Sequence, residues 1–251
     1  FSKWYGRKMD SRKSKNKILP FISNYNLDEN EFLHDPSTFQ SFNEFFSREL
    51  KENTRPIDQS NGSIVFPADG RHLGIQNLSK IERIFVKGQK FDLSSLFQSE
   101  QLAKVYQEGS MVISRLCPVD YHRFHFPVSG FATEPKLING SLFSVNPIAL
   151  RKNIGIFWQN KRYLSFIRDS AVGNVACFLV GATCVGSVNI TSPLPTLVKK
   201  GEELGYFRFG GSSVLTLFEK GAVKLSADLL DSTASGIELY AKMGQALGEK
   251  L

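Results

Sequence analysis

The sequence has no apolar run long enough to cross a bilayer, which takes roughly 18 or more residues. Its longest apolar stretch, VACFLVGATCVGSVNI at 175–190, is cut by glycines and reads as two buried strands and a turn. Cysteine is scarce: Cys117, Cys177 and Cys184 are an odd number, with no CxxC or HxxxH spacing. A disulfide framework and a zinc site are therefore not expected, and the cysteines read as buried free thiols. No internal repeat, collagen-like period or long disordered tract is present. Position 1 is Phe rather than Met. The expectation is a piece of a longer protein, whose upstream targeting or anchoring segments do not show.

What is there is a chain of 251 residues, 41% hydrophobic and 12% aromatic, enough for one large core or two small domains. The net charge of +7 is uneven. Residues 1–17 hold seven basic side chains against Asp10 alone, a surplus of six that leaves one for the rest of the chain. Phe1, Trp4, Tyr5 and Met9 stand at helical spacing within this arm. Such a segment can lie on an anionic membrane, at roughly 1 kcal/mol per basic side chain. It can equally be an amphipathic helix docked on its own domain. Nucleic acid is not the expected partner, because the body has no second basic patch.

Residues 18–50 read as helical. STFQSFNEFFSREL (37–50) places Phe39, Phe42, Phe45, Phe46 and Leu50 near a period of 3.6, with Ser37 or Thr38 as cap. From residue 63 short β-rich runs alternate with Gly, Pro and Asn: 63–66, 72–77, 83–87, 110–116, 121–126, 141–145, 154–158, 163–168, 174–180, 184–190 and 213–218. The expected class is α+β: a β-rich, twisted, partly closed sheet body with an N-terminal helical segment. A short helical insert is expected at 92–106, and the tail from 235 reads as helix or strand.

Three polar clusters stand out. In FPADGR (66–71), Asp69 is a carboxylate on a turn at a strand end. In CPVDYHRFHFPVSG (117–130), His122 and His125 sit among apolar neighbours, whose desolvation lowers a histidine's pKa and keeps it a base near neutrality. A hydrogen-bonded structural histidine fits either position as well. A third ligand is missing, so no metal is expected. In YFRFGGSSVLTLFEKG (206–221), Gly210-Gly211-Ser212-Ser213 interrupts an apolar strand. It reads as a β-bulge, or as the serine of an Asp-His-Ser array. The GxSxG spacing of an ordinary serine hydrolase fails here, and a strand follows the serine.

SFNEFFSREL, FPADG, PVDYHRFHFPVSG, FSVNP, VGATCVGS and GYFRFGGSSVLTLFEKG occur together and in order. This combination, over roughly residues 38–245, resembles the phosphatidylserine decarboxylases. The usual Leu-Gly-Ser-Thr cleavage motif of that family is Gly-Gly-Ser-Ser here, which keeps the Gly-Ser bond. The resemblance implies a pyruvoyl-dependent carboxy-lyase made as a self-cutting proenzyme. Ser212 matches the precursor of the covalent pyruvoyl group and Gly211 the new C-terminus of the β chain. Asp69 and His125 match the acid and base of self-cleavage, and His122 a histidine of decarboxylation. The implied organisation is an N-terminal membrane-facing segment, 1–50, and a catalytic body, 51–251, cut into a β chain ending at Gly211 and an α chain, Ser212–Leu251. The implied partners are the phosphatidylserine substrate, an anionic membrane surface, the α and β chains of one precursor, and a second copy in a homodimer. Peripheral association with a bacterial inner membrane or a eukaryotic organelle membrane follows. Two alternatives stand: a pyruvoyl-dependent decarboxylase of a free amino acid, and a cleavage-incompetent lipid-binding relative.

Overall fold

The computed structural model describes residue 6 and residues 8–83, 91–183 and 188–251. Its strands are β1 (Ser63–Val65), β2 (Gly70–Ile75), β3 (Ser110–Leu116), β4 (Arg123–His125), β5 (Gly130–Ala132), β6 (Lys136–Ile138), β7 (Arg162–Ser170) and β8 (Gly173–Gly181). There follow β9 (Val188–Ile190), β10 (Thr196–Val198), β11 (Glu203–Phe207), β12 (Ser212–Phe218), β13 (Val223–Leu225), β14 (Leu239–Ala241) and β15 (Ala246–Lys250). The α-helices are α1 (Ile18–Tyr25), α2 (Phe42–Phe46), α3 (Leu93–Phe97), α4 (Glu100–Tyr106), α5 (Pro147–Lys152), α6 (Ile156–Gln159) and α7 (Ala227–Ala234). This is the expected α+β class, a β-rich body with a helical N-terminal segment.

An antiparallel nine-stranded sheet runs β10-β5-β7-β8-β12-β3-β2-β14, with β6 beside β7. Two three-stranded sheets, β1-β15-β13 and β4-β11-β9, complete the body. Every residue of β3 and β12 is buried. Strand side chains alternate between faces, so these strands feed two cores at once. Val112, Leu116, Leu179, Val214 and Phe218 enter the first core. Met111, Ile113, Phe178, Leu215 and Leu217 enter the second.

The N-terminal segment makes a third core. Met9, Ile18 and Ile22 pack with Phe32, Phe39, Phe42, Phe45 and Phe46, and Phe209 leans on this cluster. The arm therefore docks on its own domain through one face of α1. Leu19 and Tyr25 stay on the outer face, 65% and 55% exposed, beside exposed Arg12, Lys13 and Lys17. Of the expected apolar stripe, Phe1, Trp4 and Tyr5 lie outside the described residues.

Several local expectations change. The helix expected over 37–50 contracts to a 3-10 turn at Pro36–Thr38 and to α2, which starts where the Ser41 side chain accepts the Glu44 N–H at 3.2 Å. The 154–158 run is not a strand but leads into α6. Asn153 Oδ1 accepts the Gly155 N–H at 2.9 Å, and Ile154, Ile156 and Phe157 bury as a helical turn in the second core. Residues 141–145 form no strand either. One bridge joins Ser141 to Asn160, whose carboxamide takes both backbone groups of Phe143. The tail resolves into β14 and β15, and α7 is an unexpected helix. Of the runs expected at 83–87 and 184–190, residues 84–87 and 184–187 lie outside the described residues, and Val188–Ile190 form β9.

Candidate active site

The Gly-Gly-Ser-Ser stretch is not a bulge within one strand. It joins two strands of different sheets: β11 belongs with β4 and β9, whereas β12 lies between β8 and β3 in the centre of the large sheet. Gly210 has φ +136°, a conformation that side chains rarely adopt, and this turns the chain. Ser212 then pairs with Leu116 on one side and Gly181 on the other, and the register of β12 holds along both neighbours.

Directly paired residues project to the same face of a sheet. Ser212 therefore shares its face with Leu116 and the first core, where Phe124, Phe126 and Phe207 flank the histidine segment. Gly211 and Ser213 face the other way. A Cβ placed on Gly211 would meet Val145 Cγ2 at 3.5 Å and Ala182 Cβ at 3.9 Å, ordinary contact distances. Ser212 has no exposure, and its hydroxyl has no hydrogen-bond partner among the described residues.

Two backbone links hold His122 beside this turn. Phe207 N–H donates to the His122 carbonyl at 2.9 Å, and His122 Nε2 lies 2.9 Å from the Cys117 carbonyl, one residue beyond Leu116. A carbonyl only accepts, so Nε2 carries the proton and Nδ1 holds the lone pair of the neutral ring. That Nδ1 has no partner. The ring stacks on Phe46 at 3.8 Å, and Phe46 also packs on Phe209, two residues before Gly211. His125 ends β4, opposite Glu203 of β11, with its ring stacked on Tyr121 and its Nδ1 also unpartnered. Burial pushes His122 down to about 3, helped by the Arg48 cation, and His125 down to about 4. Both are neutral bases at neutral pH.

The other two histidines differ. His72 is buried but satisfied, with Nδ1 at 2.9 Å from Ser114 Oγ and Nε2 at 3.2 Å from the Ala241 carbonyl. His34 lies at the surface, 3.9 Å from Glu49.

Asp69 stands apart from these groups. It is buried just before β2, and Arg55 donates to its carboxylate from Nε at 2.9 Å and Nη2 at 2.7 Å. Met243 N–H adds a bond of 2.8 Å. Arg55 also reaches Glu31 at 3.0 Å, and Lys242 reaches Glu31 at 3.1 Å. Among the described residues no hydrogen bond joins Asp69 to His125, or either histidine to Ser212. Among the described residues the expected Asp-His-Ser array is thus not hydrogen-bonded as a triad.

Sequence reasoning missed two arginines. Arg55 sits in an irregular link and nothing local marks it. Arg48 follows Phe45 by three residues on the apolar face of the 37–50 pattern, and a cation there was a readable signal. It is buried between Phe32 and Phe45, and its Nε and Nη1 have no partner. Burial lowers its pKa to about 10.

The sequence model of the family described as phosphatidylserine decarboxylase matches residues 42–249. The chain belongs to the phosphatidylserine decarboxylase family. Its relatives include the phosphatidylserine decarboxylase proenzyme of Fusobacterium nucleatum, 44% identical over 249 residues, covering 99% of this chain and 83% of the relative. The proenzyme of Chlamydia muridarum is 44% identical over 250 residues, covering 100% of this chain and 83% of the relative. That of Clostridium tetani is 42% identical over 250 residues, covering 100% and 84%. The family match takes in α2, both histidines and the Gly-Ser turn. Among the described residues no helix is long and apolar enough to cross a membrane, and no group of His, Cys, Asp and Glu is arranged to hold a metal ion.

Proposed function

We propose that this protein is a phosphatidylserine decarboxylase, made as a proenzyme that cuts its own Gly211–Ser212 bond. Family membership over residues 42–249, in a chain whose Gly-Ser turn keeps a buried, unpartnered serine hydroxyl, carries the reading.

Self-cleavage starts with the Ser212 hydroxyl attacking the Gly211 carbonyl. His125 is the assigned base and takes the hydroxyl proton on its free nitrogen; its neutrality supports the assignment. The peptide C–N bond breaks, the Ser212 nitrogen becomes an amine, and Gly211 is held as an ester on Ser212 Oγ. Removal of the Ser212 α-proton then breaks the Cβ–O bond. Gly211 leaves with a carboxylate and residue 212 becomes dehydroalanine. Water replaces its nitrogen, giving a pyruvoyl group and ammonia. The residues present fit this group: Ser212 has no hydrogen bond to lose, and no atom crowds Gly211.

The pyruvoyl group supplies a carbonyl electron sink for the pair left behind when CO2 departs. His122 is assigned to the decarboxylation step, where Nδ1 would take up a proton and pass it to that carbon, with Nε2 anchored on the Cys117 carbonyl. Asp69 acts from its Arg55 clamp, fixing the chain before β2. The β chain (to Gly211) and α chain (Ser212–Leu251) stay together because β12 remains paired with β3 and β8. The outer face of α1, with Leu19, Tyr25 and its neighbouring cations, is the surface we assign to the anionic membrane.

Intact-mass measurement and a lipid assay test the reading. The expected result is a fragment of about 40 residues with a blocked N-terminus and CO2 release from phosphatidylserine. Ser212→Ala should stay a single chain. An uncut wild-type chain, or CO2 release from free serine but not from the lipid, overturns it.

A further inference from the structure

The face of the sheet opposite Ser212 carries a cavity of about 430 Å³, within the range of small-ligand sites. We propose that this cavity binds the phosphodiester of phosphatidylserine, with Arg71 and Arg151 as its cationic contacts. The proposal rests on the decarboxylase reading and adds how a phospholipid is told from a free amino acid.

The cavity borders the reacting bond. Arg115 pairs directly with Ser213 on one side and with Arg71 on the other, so the three stand in a row across β12, β3 and β2. Adjacent strands lie about 4.8 Å apart, which puts Arg71 two strand spacings from Ser213. From the second side, one segment joins bond and cavity: Val145 contacts the position of Gly211, and Pro147, Leu150 and Arg151 of α5 line the wall. Self-cleavage frees the end of β12 beside this wall. In phosphatidylserine only Cβ and one oxygen separate the serine Cα from phosphorus. A substrate reacting at residue 212 must therefore place its phosphate close by.

The charges suit one monoanion. Arg115 is neutralised by Glu238, which accepts from Nε at 2.8 Å and from Nη2. Arg71 keeps a 39% exposed side chain, and its nearest carboxylate, Asp120, is 3.9 Å away. Arg151 is exposed and makes no ion pair among the described residues. Arg71 also donates to Cys117 Sγ at 3.2 Å and lies over the Tyr240 ring, yet it stays open to water, and a guanidinium matches a phosphate fork-to-fork. The remaining wall is apolar, through Leu73, Ile113, Leu150 and Phe157, and Ile237 at the mouth is 62% exposed. The first acyl carbons gain by burial against such a surface.

The test is steady-state kinetics of the self-processed protein on monomeric short-chain phosphatidylserine. Arg71→Gln and Arg151→Gln should each raise KM about ten-fold, the worth of a charged hydrogen bond, with kcat nearly unchanged. Arg151→Lys should restore most of the loss. The uncut Ser212→Ala chain should bind the same lipid by calorimetry, and lose about ten-fold on adding either Gln substitution. Glycerophosphoserine should compete and inorganic phosphate should not. Unchanged KM and binding in both variants overturn the proposal, as does equal competition by inorganic phosphate. If Arg71→Gln fails to fold, exposed Arg151 carries the test. Failure of the decarboxylase reading is seen separately, in a wild-type chain that is uncut or inactive on the lipid.

Discussion

The two faces of β12 at its first residues differ in what they leave unmade. On the Ser212 face a hydroxyl is buried in an apolar core, and the nearby histidine segment buries two imidazole nitrogens; none of the three has a partner among the described residues. On the Gly211 and Ser213 face, an open cavity holds guanidiniums that water can still reach. A reaction of the chain with itself needs no entrance, and dry surroundings keep its histidines neutral. A reaction on a lipid needs an entrance and charge to meet the phosphate. The contrast assigns the closed side to the reacting groups and the open face to receiving the phosphate of the substrate.

The largest expected effect breaks the closed face chemically. His125→Ala should slow self-cleavage by about 10²–10⁴-fold, the usual worth of a positioned general base. A time course of the purified proenzyme on denaturing gels measures it. His122→Ala should still cut and lose lipid decarboxylation; a chain that no longer cuts reassigns His122 to processing.

Next comes the clamp behind that face. Arg55 and Asp69 are both deeply buried, with side chains 8% and 2% exposed. Removing one partner of such a pair costs about 3–5 kcal/mol, because the other charge stays buried and uncompensated. Arg55→Gln should lower the urea midpoint accordingly, whereas Arg71→Gln on the open face should barely move it. Equal losses for the two would dissolve the distinction between the faces.

Acid sharpens the same comparison. Burial holds His72 and His122 near 3 and His125 near 4 in the folded chain, while the unfolded chain takes up protons around 6.5. The unfolded state therefore binds more protons below 6.5, and stability falls as pH drops from there toward the folded values. At pH 5 the loss is about 2 kcal/mol per histidine. Thermal melts should show a steep decline from pH 7 to pH 5, and His122→Phe, which keeps the stack on Phe46, should flatten it. A flat profile would mean that the histidines are not dry.

The sequence carried the closed face far better than the open one. The central strands were legible because both of their faces are apolar, and His122, His125 and Ser212 lie in short local motifs. The 154–158 run was misread because Ile154, Ile156 and Phe157 have strand-like side chains, and only the Asn153 cap and the second core make it helical. Arg55, fourteen residues before Asp69, is a partner fixed by tertiary folding alone. The cavity draws Arg71, Arg115, Arg151 and Ile237 from four separate segments, and no local pattern announces such a set.

The smallest expected effect is the most discriminating between neighbours. Ser212 and Ser213 are both fully buried, and both hydroxyls lack partners among the described residues. Burial and an orphaned oxygen therefore do not tell them apart; the face does. Ser213 points to the cavity side of the sheet, opposite to Ser212. Ser213→Ala removes an unsatisfied buried hydroxyl and should leave stability within about 1 kcal/mol, on the stabilising side. Self-cleavage should proceed at nearly the wild-type rate, with the new N-terminus still at residue 212 by peptide mass. Loss of cleavage in this variant would mean that the strand's alternation does not decide which serine reacts, and the assignment of the two faces would go with it.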